Sequence, residues 1–130
     1  MTHDRAPAAA LDPQARAWLR LEGLAAFAAG VVAYGRLGGE WLWFVPALLA
    51  VDVSMVGYLR GPRLGALTYN VAHNWAVGLV VLGVGLATGI QVVELAGAIL
   101  IAHVGADRAL GYGLKLPSAF QDTHLSRIGR

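Results

Sequence analysis

The sequence predicts an all-α integral membrane protein, an up-down four-helix bundle with both termini in the cytoplasm. Three observations carry that expectation. Over 130 residues, 57% are hydrophobic and only 14% charged, with a mean hydropathy of +0.58, whereas a soluble domain carries roughly a quarter charged residues. The apolar residues fall into four stretches, each near the roughly 20 residues that a helix needs to cross a hydrocarbon core. The basic residues collect on one side of those stretches.

Composition narrows the chemistry as well. With no cysteine, the chain builds no disulfide scaffold, zinc–thiolate site or iron–sulfur cluster. The net charge is +2 and the pI about 9.4, but the ten basic residues are scattered and never form a run. No nucleic-acid partner is expected from that pattern. The length suits one domain spanning residues 1–130.

Residues 1–14 form a polar, proline-bearing lead in which Asp12-Pro13 reads as an N-cap followed by proline at the first helical position. The first span covers about residues 17–34. Its apolar run is long and lacks an Ala-x-Ala context, so it is expected to stay in place rather than be removed as a signal peptide. The second span covers about 41–59, with Pro46 expected to kink it. The third covers about 64–88 and the fourth about 90–112, followed by a polar cytoplasmic tail over 113–130. Connections around 35–40, 60–63 and Gly89 are short, which makes sequential helices antiparallel neighbours.

Four spans put the N-terminus, the second loop and the tail on one side. That side holds Arg5, Arg16, Arg20, Arg60, Arg63, Arg108, Lys115, Arg127 and Arg130, against Arg36 alone on the other. The positive-inside rule makes the richer side cytoplasmic and the protein a multi-pass resident of the cell membrane. Tyr34, Trp41 and Trp43, beside Glu40, then mark the outer interface.

The polar residues inside the spans are the informative ones. Glu22, Asp52, His73, His103 and Asp107 are distributed over all four spans and fall within the same half of the membrane at a 1.5 Å rise per residue. A charge at the centre of a membrane helix costs about 2.5–3.5 kcal/mol, so a matched depth predicts mutual contact in one pocket. His103 and Asp107 lie one turn apart, as do Tyr69 and His73, and Asn70, His73 and Asn74 share a stripe. Glu22 shares its face with Ala26, Ala29 and Ala33, small residues that admit a close helix neighbour.

Two imidazoles with three carboxylates suit a divalent metal such as zinc, manganese or iron. Glu22, Asp52, His73, His103 and Asp107 are the candidate ligands, although the paired Glu-x-x-His motifs of di-iron bundles are absent. His103, Asp107 and His73 are the candidate catalytic groups. Arg108, Lys115, Tyr69 and Asn70 are the candidates for binding an anionic substrate or lipid headgroup. The competing expectation is that these residues only pair with one another and bridge helices.

After helix four come Gly111-Tyr112-Gly113-Leu114-Lys115, Pro117, and then Asp122-Thr123-His124-Leu125. Together with His103-x-x-x-Asp107-Arg108, this stretch resembles the C-terminal signature of an uncharacterised family of small bacterial four-helix membrane proteins, filed as domain of unknown function 4260. Asp52 and Tyr69 to His73 look similar too, while Ala106 and Ser126 depart from the commoner residues. The resemblance implies membrane location and brings no activity. Read physically, Gly111 and Gly113 let the chain turn back, which would fold the tail over the pocket and deliver Asp122 and His124 to it.

Three functions compete. One is a metal-dependent enzyme acting on a membrane lipid or other amphiphile. The second is a small transporter or channel component with a proton or cation site at Glu22, Asp52 and Asp107, which requires a homo-oligomer because one four-helix chain rarely encloses a pathway. The third is a structural helper subunit. Ser54 and Ser118 lack a nucleophile elbow, and no phosphate-binding glycine loop is present.

Overall fold

A computed structural model describes residues 12–115 and Thr123. Its helices are α1 (Pro13–Arg36), α2 (Trp41–Ala50), a 3-10 helix (Val51–Arg60), α3 (Pro62–Ala72), α4 (Trp75–Thr88) and α5 (Gln91–Leu110). No strand occurs among the described residues, and the only pairing outside the helices is an isolated bridge between Lys115 and Thr123.

The start of α1 follows its sequence signal. Asp12 accepts hydrogen bonds from the backbone N–H groups of Gln14 and Ala15 at 2.9 and 3.2 Å, and Pro13 opens the helix. At the other end, Tyr34 donates to the Glu40 carbonyl at 2.7 Å and packs against Trp41 and Phe44, with ring centroids 5.2–5.4 Å apart. This aromatic cluster holds the α1–α2 turn and caps a core of Tyr34, Ala98 and Ile99.

Two spans depart from the continuous α-helices expected of them. The second runs as α-helix through Pro46 and changes to 3-10 geometry at Val51. With about three residues per turn, the 3-10 helix presents separate stripes. Val53, Val56 and Leu59 are exposed, at 70%, 59% and 85%, while Ser54 and Gly57 turn toward α3. Asp52, Met55 and Tyr58 lie between those stripes. The third span is broken. His73 leaves helical geometry at φ −110° and ψ 40°, and Asn74, extended at φ −133° and ψ 154°, caps α4 by accepting from the Val77 N–H at 3.0 Å. The two halves meet at 43°. An asparagine that satisfies the first turn of a new helix stabilises the break.

α5 is the central element. Ala98, Ala102 and Val104 have no exposed surface, and α1 and α4 pack antiparallel along α5. Close approach explains two glycines. A Cβ on Gly30 would stand 2.6 Å from the Ala102 amide nitrogen, and one on Gly85 would stand 2.7 Å from the Glu94 Cα. The 3-10 helix and α3 form a separate antiparallel pair around Gly61, whose φ of +123° only glycine adopts readily.

Two helices are long and apolar enough to cross a membrane, Pro13–Arg36 and Trp41–Arg60, and the bent pair Pro62–Ala72 with Trp75–Thr88 is a third if it forms one broken span. α5 is long enough but more highly charged over a spanning length than these, since its twenty residues include Glu94, Asp107 and Arg108. Its polar groups are instead turned largely into the protein.

Candidate metal centre

Four side chains predicted to meet do meet. α3 ends at His73, α5 carries His103 and Asp107 one turn apart, and the first turn of the 3-10 helix carries Asp52. The Nε2 atoms of His73 and His103 stand 3.0 Å apart. Asp52 Oδ1 lies 3.3 Å from the first and 3.2 Å from the second. Asp107 Oδ2 lies 3.6 and 3.3 Å from the same two atoms. The tightest group is Asp52, His73 and His103, whose ligand atoms all fall within 4.8 Å of one another.

Backbone carbonyls set the tautomers. His73 Nδ1 is 2.8 Å from the Tyr69 carbonyl and His103 Nδ1 is 2.6 Å from the Leu48 carbonyl. A carbonyl only accepts, so each ring places its proton on Nδ1 and, when neutral, turns a lone pair on Nε2 toward the other. Two lone pairs at 3.0 Å repel unless a cation stands between them. Metal-bound histidines characteristically donate their second nitrogen in this way.

The surroundings are ordered. Tyr69 stacks on the His73 ring with centroids 3.6 Å apart and planes 9° from parallel, and its hydroxyl donates to Asp107 Oδ2 at 3.3 Å. The helix break leaves the His73 carbonyl without an intrahelical partner, and Arg108 supplies one at 3.0 Å while its other terminal nitrogen holds the Tyr112 carbonyl at 2.9 Å. Arg108 thus ties α5 to the break. Asn70 pairs with the backbone of Lys115 in both directions, donating to its carbonyl at 2.8 Å and accepting from its N–H at 2.7 Å. Lys115 is buried, and its ammonium sits 5.1 Å over the Tyr69 ring. Burial pushes that ammonium below its ordinary pKa, against the pull of Asp107 and Asp52. The chain does turn back after α5, as expected, at Gly111 with a φ of 92°. Asp122 and His124 lie outside the described residues.

Glu22 does not join the group. It is exposed on α1 and, with Ala26, Ala29 and Ala33, lines a groove of about 510 Å³ between α1 and α4. The residues of α1 that approach α5 closely include Gly23, Phe27 and Gly30, one stripe over. The expected stripe of Asn70, His73 and Asn74 is divided as well. His73 enters the centre, Asn70 takes Lys115, and Asn74 caps α4 while donating to the Asn70 and Val71 carbonyls at 2.7 and 3.0 Å. Ser54, whose Oγ lies 3.3 Å from His73 Nδ1, was not foreseen, and neither were the Leu48 and Tyr69 carbonyls.

The donor set is compatible with a divalent ion. Ligands about 2.0–2.1 Å from a tetrahedral ion stand about 3.3 Å from one another, and the three separations among Asp52, His73 and His103 run from 3.0 to 3.3 Å. His73 is fully buried and the His103 side chain is 7% exposed, whereas the Asp107 and Asp52 side chains are 19% and 42% exposed. Any ion would therefore be reached past the carboxylates.

No curated protein and no solved structure matches the chain. The family model described as "Domain of unknown function (DUF4260)" matches residues 16–128. That match covers nearly the whole sequence, including every residue of the centre, and the chain belongs to the DUF4260 family.

Proposed function

We propose that this protein is a multi-pass resident of the cell membrane that holds one divalent metal ion at Asp52, His73 and His103 and uses it for hydrolysis. The carrying observation is the pair of Nε2 lone pairs, each aimed by an Nδ1 proton bound to a carbonyl, with Asp52 Oδ1 within 3.3 Å of both. Nitrogen and oxygen donors without thiolate suit zinc, manganese or iron.

Asp52, His73 and His103 would hold the ion, and a site with three protein ligands would have room for water, as catalytic rather than structural sites do. A divalent ion bound there supplies Lewis acidity and lowers the pKa of water toward neutrality. Asp107, which accepts from the Tyr69 hydroxyl, would take the water's proton. In a hydrolysis the water oxygen would bond to the electrophilic centre, the bond to the leaving group would break, and the proton taken up by Asp107 would pass to that leaving group.

The membrane arrangement completes the proposal. α1, α2 with the 3-10 helix, and α3 with α4 form three spans, and α5 forms a fourth inside them. The antiparallel packing of α1 and α4 against α5 supports an up-down order. The split of nine basic residues against one supports cytoplasmic termini.

The test is metal analysis of the purified protein after exposure to zinc, manganese or iron. We expect about one ion per chain, lost on His73→Ala and on His103→Ala while the helical circular dichroism persists. A wild-type protein that retains no metal, with a single proton shared between the imidazoles, overturns the proposal.

A further inference from the structure

We infer that the open side of the metal centre faces the hydrocarbon layer and that the substrate is a membrane lipid entering sideways. This rests on the metal proposal above. It concerns where the centre opens, and the route is set by the 3-10 helix.

Among the described residues, protein encloses most of the centre. His73 has no exposed surface, and the His103 ring is nearly enclosed. Tyr69 covers a face of His73, Arg108 occupies the break beneath it, and the segment after α5 is clamped to α3 through Asn70 and Lys115. The most open side is that of Asp52, 42% exposed against 19% for Asp107.

What surrounds Asp52 is apolar. Leu49, Val53 and Val56 are 61%, 70% and 59% exposed, and almost none of the Trp41–Arg60 helix is buried within the protein. That helix is long and apolar enough to cross a membrane. A three-residue period puts Asp52 beside, and not within, the stripe of Val53, Val56 and Leu59. Its carboxylate therefore lies at the seam between lipid-facing surface and protein. A continuous α-helix would have rotated successive residues by about 100° and broken that seam.

A carboxylate that faces two imidazole lone pairs at such a seam is costly, about 2.5–3.5 kcal/mol when deep in a bilayer, and coordination to a cation removes the penalty. A substrate arriving through water would have to cross the apolar flank around Asp52. A lipid already lies against it, with its apolar chains matched to Leu49, Val53 and Val56.

The experiment uses Mn(II)-loaded protein in phosphatidylethanolamine–phosphatidylglycerol nanodiscs that contain a phospholipid nitroxide-labelled on its acyl chain. We expect the bound Mn(II) to speed relaxation of the acyl-chain label. Met55→Trp, one 3-10 turn from Asp52 and not a ligand, should abolish that effect while the ion stays bound. If Mn(II) is bound but acts on water protons and not on the lipid label, lateral entry is overturned and the metal proposal stands. The same holds if a second copy of the chain covers the Asp52 face and excludes the label. If no Mn(II), zinc or iron is retained, both fail together.

Discussion

His73 and His103 meet Nε2 to Nε2 at 3.0 Å, although thirty positions separate them in the chain. Their rings stand nearly perpendicular, with centroids 4.8 Å apart and planes at 77°. The two carbonyls that hold their Nδ1 protons belong to different elements, Tyr69 in α3 and Leu48 in α2. Three elements thus converge to aim two lone pairs at one point.

Asp107→Asn should separate binding from chemistry. The amide keeps the shape and can still meet the Tyr69 hydroxyl, but it no longer accepts a proton. Metal content is expected to stay near the wild-type level while turnover of a lipid substrate falls by about 10²–10⁴-fold, the usual contribution of a positioned base. Equal loss of metal and turnover would instead make Asp107 an essential ligand.

Asn70→Ala should release the segment after α5. The substitution removes two hydrogen bonds to the Lys115 backbone, each worth about 0.5–1.5 kcal/mol. Hydrogen exchange at residues 111–115 should accelerate, and thermal stability should fall. Unchanged protection there would show that the segment is held by other contacts.

The α1–α5 interface should reject bulk at Gly30 and tolerate it at Gly83. A Cβ at Gly30 meets the Ala102 backbone at 2.6 Å, and a Cβ at Gly83 meets nothing within 4 Å. Gly30→Val should destabilise the protein by about 1–3 kcal/mol in a reversible detergent titration. Gly83→Ala should be neutral or stabilising by a few tenths to about 1 kcal/mol, since it removes backbone freedom from the unfolded chain.

Topology is open to direct labelling. Single cysteines at Thr2, Gly38 and Arg130 should divide, with only the one at Gly38 reacting with an impermeant reagent added outside the cell. Protection of Gly38 with reaction at both ends would invert the orientation assigned by the positive-inside rule.

Much of this protein is determined locally. A high apolar content in long runs makes helices the only economical form in lipid, because each backbone group finds its partner within the same segment. Asp12-Pro13 specifies the start of α1 through its own side chain. The i, i+4 spacing of His103 with Asp107 places both on one face of α5, whatever surrounds that face. These inferences need only neighbours within a few residues.

What the tertiary structure decided lies beyond that range. The change from α to 3-10 at Val51 and the break at His73 are not compelled by Pro46 or by glycine at the point of change. They occur where side chains of α5 take up backbone carbonyls, His103 that of Leu48 and Arg108 that of His73. Those two irregularities alter which residues share a face. They bring Asp52 to the imidazoles, divide Asn70 from His73, and place Ser54 beside the ring. Glu22 was grouped with the others by depth alone, but depth does not fix rotation about a helix axis. Gly23 and Gly30 set that rotation by lying flush against α5, which leaves Glu22 on the neighbouring stripe. Pattern therefore determined the helices and the residue types of the centre, while close packing around α5 decided which of those residues meet.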